Sequence, residues 1–547
     1  MRLLVLALLS VGLLAAVALT GCLDGGDDAG DDGPGGPGVP LTFREDWAEH
    51  ALQSDHDHYV PDEHQDLSTP NFQELGWDPL ISEYYGRSAG GYLCGDAVDT
   101  GERRLAAVHG INTDVAFELV DVTNATQPTV LGEFIMPRGA SRDVALTPDG
   151  NFVAVAITDP DAGPMPAALA DFMAAAPDVG LARSSGQAMW RSSCNDGPVP
   201  VERADALARD APEDEAPWPP GVMLVSVIDP ASPRIVGYYP LPVLGAHSVY
   251  VGESGGRTII IASVTNLATA ASYFWFIEVT ETPIGINMVL LSQYVEPANE
   301  GGAPLVNGHN DGVLQEHPVT GMPLAYLANW HQGFVILDMS NPSFPEVIGR
   351  WDDNTQPNLA PGLDPQLVED GSGNVHEAIP LNTVWGGRHY TFVGQEILAR
   401  PTDTPSGLIN IIDTTDPSDP YTVATWTLPA DVEWSEGGVF STHYVSYHGH
   451  TLFVAHYHAG VWAIDLSGLL DGEVSEADVH PPASGVYVPA KVSPKPPPDG
   501  SYDWTPTIMD APVMPNGDLV VYDCTSGIYV VRFDESQPAP PKVWDFA

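Results

Sequence analysis

One phrase recurs along this chain with variations. It reads FELVDVTNATQPTVLGEF from Phe117, MLVSVIDPASPRIVGYY from Met223, FVILDMSNPSFPEVIGRW from Phe334 and INIIDTTDPSDPYTVATW from Ile409. Each copy is an apolar strand ending in Asp, a polar turn holding Pro, and a second apolar strand. A β unit this small cannot bury its faces alone and must stack on its neighbours, so the recurrence predicts a repeat architecture before any site is considered.

The 52 prolines and 54 glycines fall between short Val/Ile/Phe/Tyr runs, as in an all-β fold with many turns. From Gly91 onward the chain divides into about seven units, in which strands A and B precede the phrase as strands C and D. Strand A candidates begin at Cys94, Ser141, Ala246, Gly308, Val375, Thr442 and Met509. Asp149-Gly150 and Asn516-Gly517 are hairpin signals between A and B. Seven units of four antiparallel strands closed in a ring make a β-propeller, the expected fold. Residues 160–220, with a helix expected at MPAALADFMAAA, and 467–505 are expected as loop insertions. The expected domains are 1–21 signal peptide, 22–40 tether, 41–90 N-terminal arm and 91–547 propeller.

The phrases FVILDMSNPSFPEVIG and INIIDTTDPSDP resemble the LVIVD repeat, a propeller repeat of exported bacterial and archaeal proteins. The resemblance spans roughly residues 91–535 and is strongest at 324–353 and 408–466. NFQELGWDPL resembles the lead-in of haloarchaeal members. The resemblance implies a propeller fold and a surface location, and it implies no reaction.

Met1 to Leu19 has the Arg and apolar run of a signal peptide, and Leu19-Thr20-Gly21-Cys22 resembles a prokaryotic lipobox. Lipidation at Cys22 would make the acidic Gly/Asp stretch a tether and place the domain on the outer face of the cytoplasmic membrane. The chain carries 20 Lys+Arg against 73 Asp+Glu, a formal charge of −53. Such a surface repels nucleic acid and fits a salt-rich surrounding. Cys94, Cys194 and Cys524 then allow one disulfide and a spare thiol; Cys94 with Cys524 would close the ring, and Cys194 competes for either. Asn124-Ala-Thr126 is a glycosylation sequon.

The histidines cluster by register. His247, His309, His376 and His443 stand at the start of strand A, while His109, His331, His456 and His458 stand at the end of strand B, with Gln395 and Glu396 at the matching place. Antiparallel neighbours bring these ends to one mouth of the channel. Imidazoles with carboxylates are ligands for Zn, Cu, Mn or Fe, so one transition metal on His309, His376, His443 and His458, with His331, Glu396 and His247 as further candidates, is the expected cofactor. Asp96, Asp143, Asp311, Glu377 and Asp510 accompany them. Blade packing is the competing role for all of these side chains. No Walker loop, dinucleotide fingerprint or G-x-S-x-G elbow occurs. Two function classes follow: a module binding a protein or glycan, and, as the alternative, a metal-dependent redox or hydrolytic enzyme.

Overall fold

In a computed structural model the chain forms seven blades of four antiparallel strands arranged in a ring. The structure describes residues 68–537, apart from internal segments of which the longest are 158–219, 296–311, 352–374, 397–406, 429–440 and 492–506. The expected signal peptide at 1–21, Cys22, the expected helix at 165–176 and Cys194 lie outside the described residues. Six blades run in chain order from channel to rim, beginning at Tyr92, Ser141, Ala246, Gly312, Val375 and Val445.

Blade seven takes three strands from the C-terminal end, Ile508–Asp510, Asp518–Asp523 and Gly527–Phe533. Its outermost strand is Phe72–Asp78, which pairs antiparallel with Gly527–Phe533. The ring therefore reaches back into the segment expected as an N-terminal arm. Phe72 seals the joint against Phe453, Tyr487 and Phe533, with ring centroids 6.4, 6.1 and 4.8 Å away. Similarly, residues 467–505 are not wholly a loop: a 3-10 turn, Ser467–Leu469, leads to Ala483–Tyr487, the outer strand of blade six.

The recurring phrase is a joint between blades. Its Asp carboxylate accepts the backbone N–H two residues on, from Thr123 to Asp121, Ser340 to Asp338, Thr415 to Asp413 and Ser467 to Asp465, at 2.8–2.9 Å. That bond turns the chain sharply out of strand C. The turn then rests on strand D of the preceding blade. A Cβ placed on Gly132 or Gly349 would lie 1.9 Å from the carbonyl oxygen of Pro230 or Pro417 respectively. In blade three, Ser292 replaces the glycine and donates its hydroxyl to Pro342 O at 2.6 Å. Across the ring closure, Gly76 faces Ala125 O in the same way.

The channel-side acids have a related task. Asp96 accepts from Leu146 N (2.8 Å), Asp143 from Val249 N (2.9 Å), Asp510 from Gly95 N (3.4 Å) and Glu377 from Val445 N, each donor lying on the next blade. These four carboxylates are clamps between innermost strands. Burial raises Asp96 to about 6 and pushes Asp510 well above the carboxylate range.

On the opposite side, a neutral network joins blades four and five. His389 donates Nε2–H to Leu381 O (2.8 Å), and its Nδ1 lies 2.8 Å from Thr414 Oγ1. His317 Nε2 donates to Thr414 O (2.9 Å) while Nδ1 accepts from Thr320 N (3.1 Å). The two rings meet edge-on at 4.6 Å. Burial lowers His389 from 6.5 to about 4. The unfolded chain therefore binds this proton first, so the stabilisation is complete above pH 6.5 and is lost as pH falls toward 4. In denaturant titrations, the advantage of the native chain over His389→Gln should shrink by roughly 2–3 kcal/mol between pH 7 and pH 4. An advantage independent of pH would show that His389 is not held neutral.

Candidate metal centre

The mouth side chains are aimed by breaks in the innermost strands. In blade five, Val375 pairs with Gln395 and Glu377 with Gly394, so His376 is the extra residue of a β-bulge. The same shift occurs at Arg142, His247 and Met509. In blade six, His443 N donates to Ala455 O and Ala455 N donates to Tyr444 O, so two residues again face one. A bulge turns a side chain that regular pleating would send along the ladder.

Two of these bulges face each other across the boundary of blades five and six. The ring centroids of His376 and His443 are 4.1 Å apart. Glu396, directly after strand Tyr390–Gln395, closes the triangle: its Oε2 lies 4.0 Å from His376 Nε2 and its Oε1 3.8 Å from His443 Nε2. One ligand atom from each residue lies within 4.8 Å of the other two, and all three side chains are buried. These separations exceed hydrogen-bond length and suit groups grouped around a shared ion.

The surroundings orient the three donors. His443 Nδ1 stands 2.9 Å from Met509 O, and a carbonyl can only accept, so Nδ1 carries a proton and Nε2 is the ring nitrogen turned to Glu396. The Tyr457 hydroxyl donates to Glu396 Oε1. Thr442 Oγ1 donates to Gln395 O at 2.6 Å, tying the residue before His443 to the residue before Glu396. Burial raises Glu396 to about 7, and the Tyr457 hydrogen bond offsets part of that rise. Tyr444 packs edge-on against both imidazoles, at 5.1 and 4.6 Å.

Of the other expected ligands, His309, His331 and His458 lie outside the described residues. His247 sits at the bulge of blade three and is not among the three grouped donors. His456 directly follows strand Thr451–Ala455. Tyr457, the next residue, has φ +43°, a left-handed conformation uncommon for a bulky residue. His456 is fully buried and meets Trp426 edge-on at 6.3 Å, a packing position. Tyr457 is the site residue that sequence reading missed; its register, equivalent to Glu396 at the end of a second strand, was the available signal.

Cys94 and Cys524 are both buried thiols. Asn124 lies exposed on the turn between strands C and D of blade one, where its Oδ1 accepts from the Thr126 hydroxyl at 3.0 Å.

The LVIVD repeat family matches residues 324–353, the second to fourth strands of blade four. Fold and repeat together define the class: a seven-bladed β-propeller carrying an LVIVD repeat. No curated protein matches the chain. Among solved structures, Kuenenia stuttgartiensis hydrazine synthase aligns with a TM-score of 0.41 and 11% identity, covering 82% of this chain and 97% of that one. The Cps50 (Swd1) β-propeller domain of Myceliophteria thermophila aligns at 0.40 and 10%, covering 81% and 96%. At these scores the alignments carry no argument about activity.

Proposed function

We propose that this protein is a surface-anchored binding module that holds one divalent transition metal on His376, His443 and Glu396. The observation behind this reading is the convergence of the three donors, with the His443 tautomer fixed by Met509 O. Two imidazoles and one carboxylate suit Zn, Mn, Fe or Cu. Three protein donors leave at least one coordination position open. One carboxylate neutralises half the charge of a divalent ion, so the open position favours an anionic donor, such as a carboxylate on a protein or glycan ligand. In this reading Cys22 carries the lipid, residues 22–40 are the tether, and the domain stands on the outer face of the cytoplasmic membrane. The surface charge of −53 fits that exposed, salt-rich setting and disfavours nucleic acid as a partner.

The test is elemental analysis of the purified chain after incubation with each metal and desalting. About one equivalent of one metal is expected, falling below about 0.2 in His376→Ala/His443→Ala with the melting profile retained. Equal metal content in the native chain and the double variant would contradict the proposal.

A further inference from the structure

The recurring turn has one backbone frame with different side chains set on it. After strand C, blade one reads Asn124-Ala125-Thr126, blade two Asp229-Pro230-Ala231, blade four Asn341-Pro342-Ser343 and blade five Asp416-Pro417-Ser418. The frame is common to all four. Gln127 N, Ser232 N, Phe344 N and Asp419 N each donate to the carbonyl three residues back, at 2.8–3.0 Å. In three of them the leading side chain also accepts the N–H two residues on. Asn124 accepts from Thr126 (3.3 Å), Asn341 from Ser343 (3.3 Å) and Asp416 from Ser418 (3.0 Å). These bonds build the turn and are not in themselves a site.

The side chains of blade one add something the frame does not need. Asn124-Ala125-Thr126 is the acceptor pattern for an N-linked sugar, and it occurs nowhere else in the 547 residues with a middle residue other than Pro. Asn124 and Thr126 are both exposed. The Thr126 N–H and hydroxyl both point to one end of the Asn124 side chain, the hydroxyl at 3.0 Å, which fixes that end as the oxygen. The amide nitrogen is then the other end, and among the described residues it has no acceptor. Asn341 is equally exposed on the same frame, but Pro342 follows it. The proline ring locks that backbone and removes its N–H, so blade four carries a built-in control.

We propose that Asn124 is a modification site, N-glycosylated on the exported chain. The step joins Asn124 Nδ2 to the anomeric carbon of a sugar carried on a lipid phosphate. The bond from that carbon to the phosphate oxygen breaks, the phosphate leaves with the oxygen, and one amide proton passes to a base of the transferase. Nothing is oxidised or reduced. The inference rests on the reading that residues 1–21 export the chain, because the acceptor has to reach a membrane-borne donor. The sugar stands beside the joint of the ring, since the neighbouring Ala125 carbonyl packs on Gly76 of the closing strand. There it adds neutral, hydrated bulk to a surface otherwise solvated by charge.

The test digests the full chain, purified from the cells that make it, and weighs the peptides holding Cys22, Asn124 and Asn341. The Asn124 peptide should carry the added mass of linked sugars, and the Asn341 peptide none. Thr126→Ala should remove that mass completely, and Thr126→Ser should keep it. A bare Asn124 peptide in the native chain, or the same added mass in Thr126→Ala, would overturn the inference. The Cys22 peptide then separates the two readings. A lipidated Cys22 beside a bare Asn124 leaves export standing, whereas a chain that still holds residues 1–21 removes export as well.

Discussion

A chain that begins at Gly91 is expected to lose its folded state, whereas one that begins at Ser68 keeps it. The difference is the strand Phe72–Asp78 and its anchors. Without it, the edge of Gly527–Phe533 is bare along its whole length. An exposed apolar strand edge is a template for pairing with other chains, so aggregation should accompany the loss. Phe72 and Leu80 also leave the core. Thr69 loses its bonds to Val486, Asn71 its bond to Ser484 O, and Trp77 Nε1 its bond to Ser526 O. At about 1.5–3 kcal/mol for each large apolar side chain, the strand carries a large part of the ~5–15 kcal/mol that keeps a domain folded. Circular dichroism and gel filtration of the two chains check this. A monomeric, cooperatively melting chain from Gly91 would show that the ring closes some other way.

Gly349→Ala is expected to cost at least about 3 kcal/mol, although it adds only one methyl group to a half-buried rim strand. The added Cβ would sit 1.9 Å from Pro417 O, a backbone atom fixed by its own turn. Blade four or blade five must then move, and that shift strains their shared core, where Tyr326, Phe334 and Trp351 pack against Val393 and Ile412. Gly101→Ala is the comparison. Its φ of +81° carries conformational strain, but nothing lies within 4 Å of the new carbon. That change should cost only about 1 kcal/mol. Equal melting temperatures for the two variants would mean that the turn does not bear on its neighbour.

Much of this architecture is legible in the residues, because the phrase states its own geometry. Asp121, Asp338, Asp413 and Asp465 end strands visibly, and the apolar runs on either side have strand length. The closing strand is another matter. NFQELGWD carries no copy of the phrase, and its partner Gly527–Phe533 lies at the other end of the chain, so no local pattern marks the pairing. Ala483–Tyr487 is hidden for a different reason: ASGVY is too short and too polar to stand out from a loop.

At the mouth, register alone singles out His376, His443 and Glu396 as channel-facing candidates. Which of them meet depends on the bulges, and a bulge is a backbone event with no residue signature. The same limit explains Asp96, Asp143, Glu377 and Asp510. A carboxylate beside a histidine reads as a ligand in one dimension; in three it finds the backbone N–H of the next blade.

The proposed metal ion would sit between blades five and six, on His376, His443 and Glu396. A crystal of the metal-loaded chain, measured at the absorption edge of that metal, tests it directly. An anomalous peak is expected about 2.0–2.2 Å from His376 Nε2, His443 Nε2 and a Glu396 oxygen. A loaded crystal with no peak there, or with its peak away from these three side chains, would contradict it.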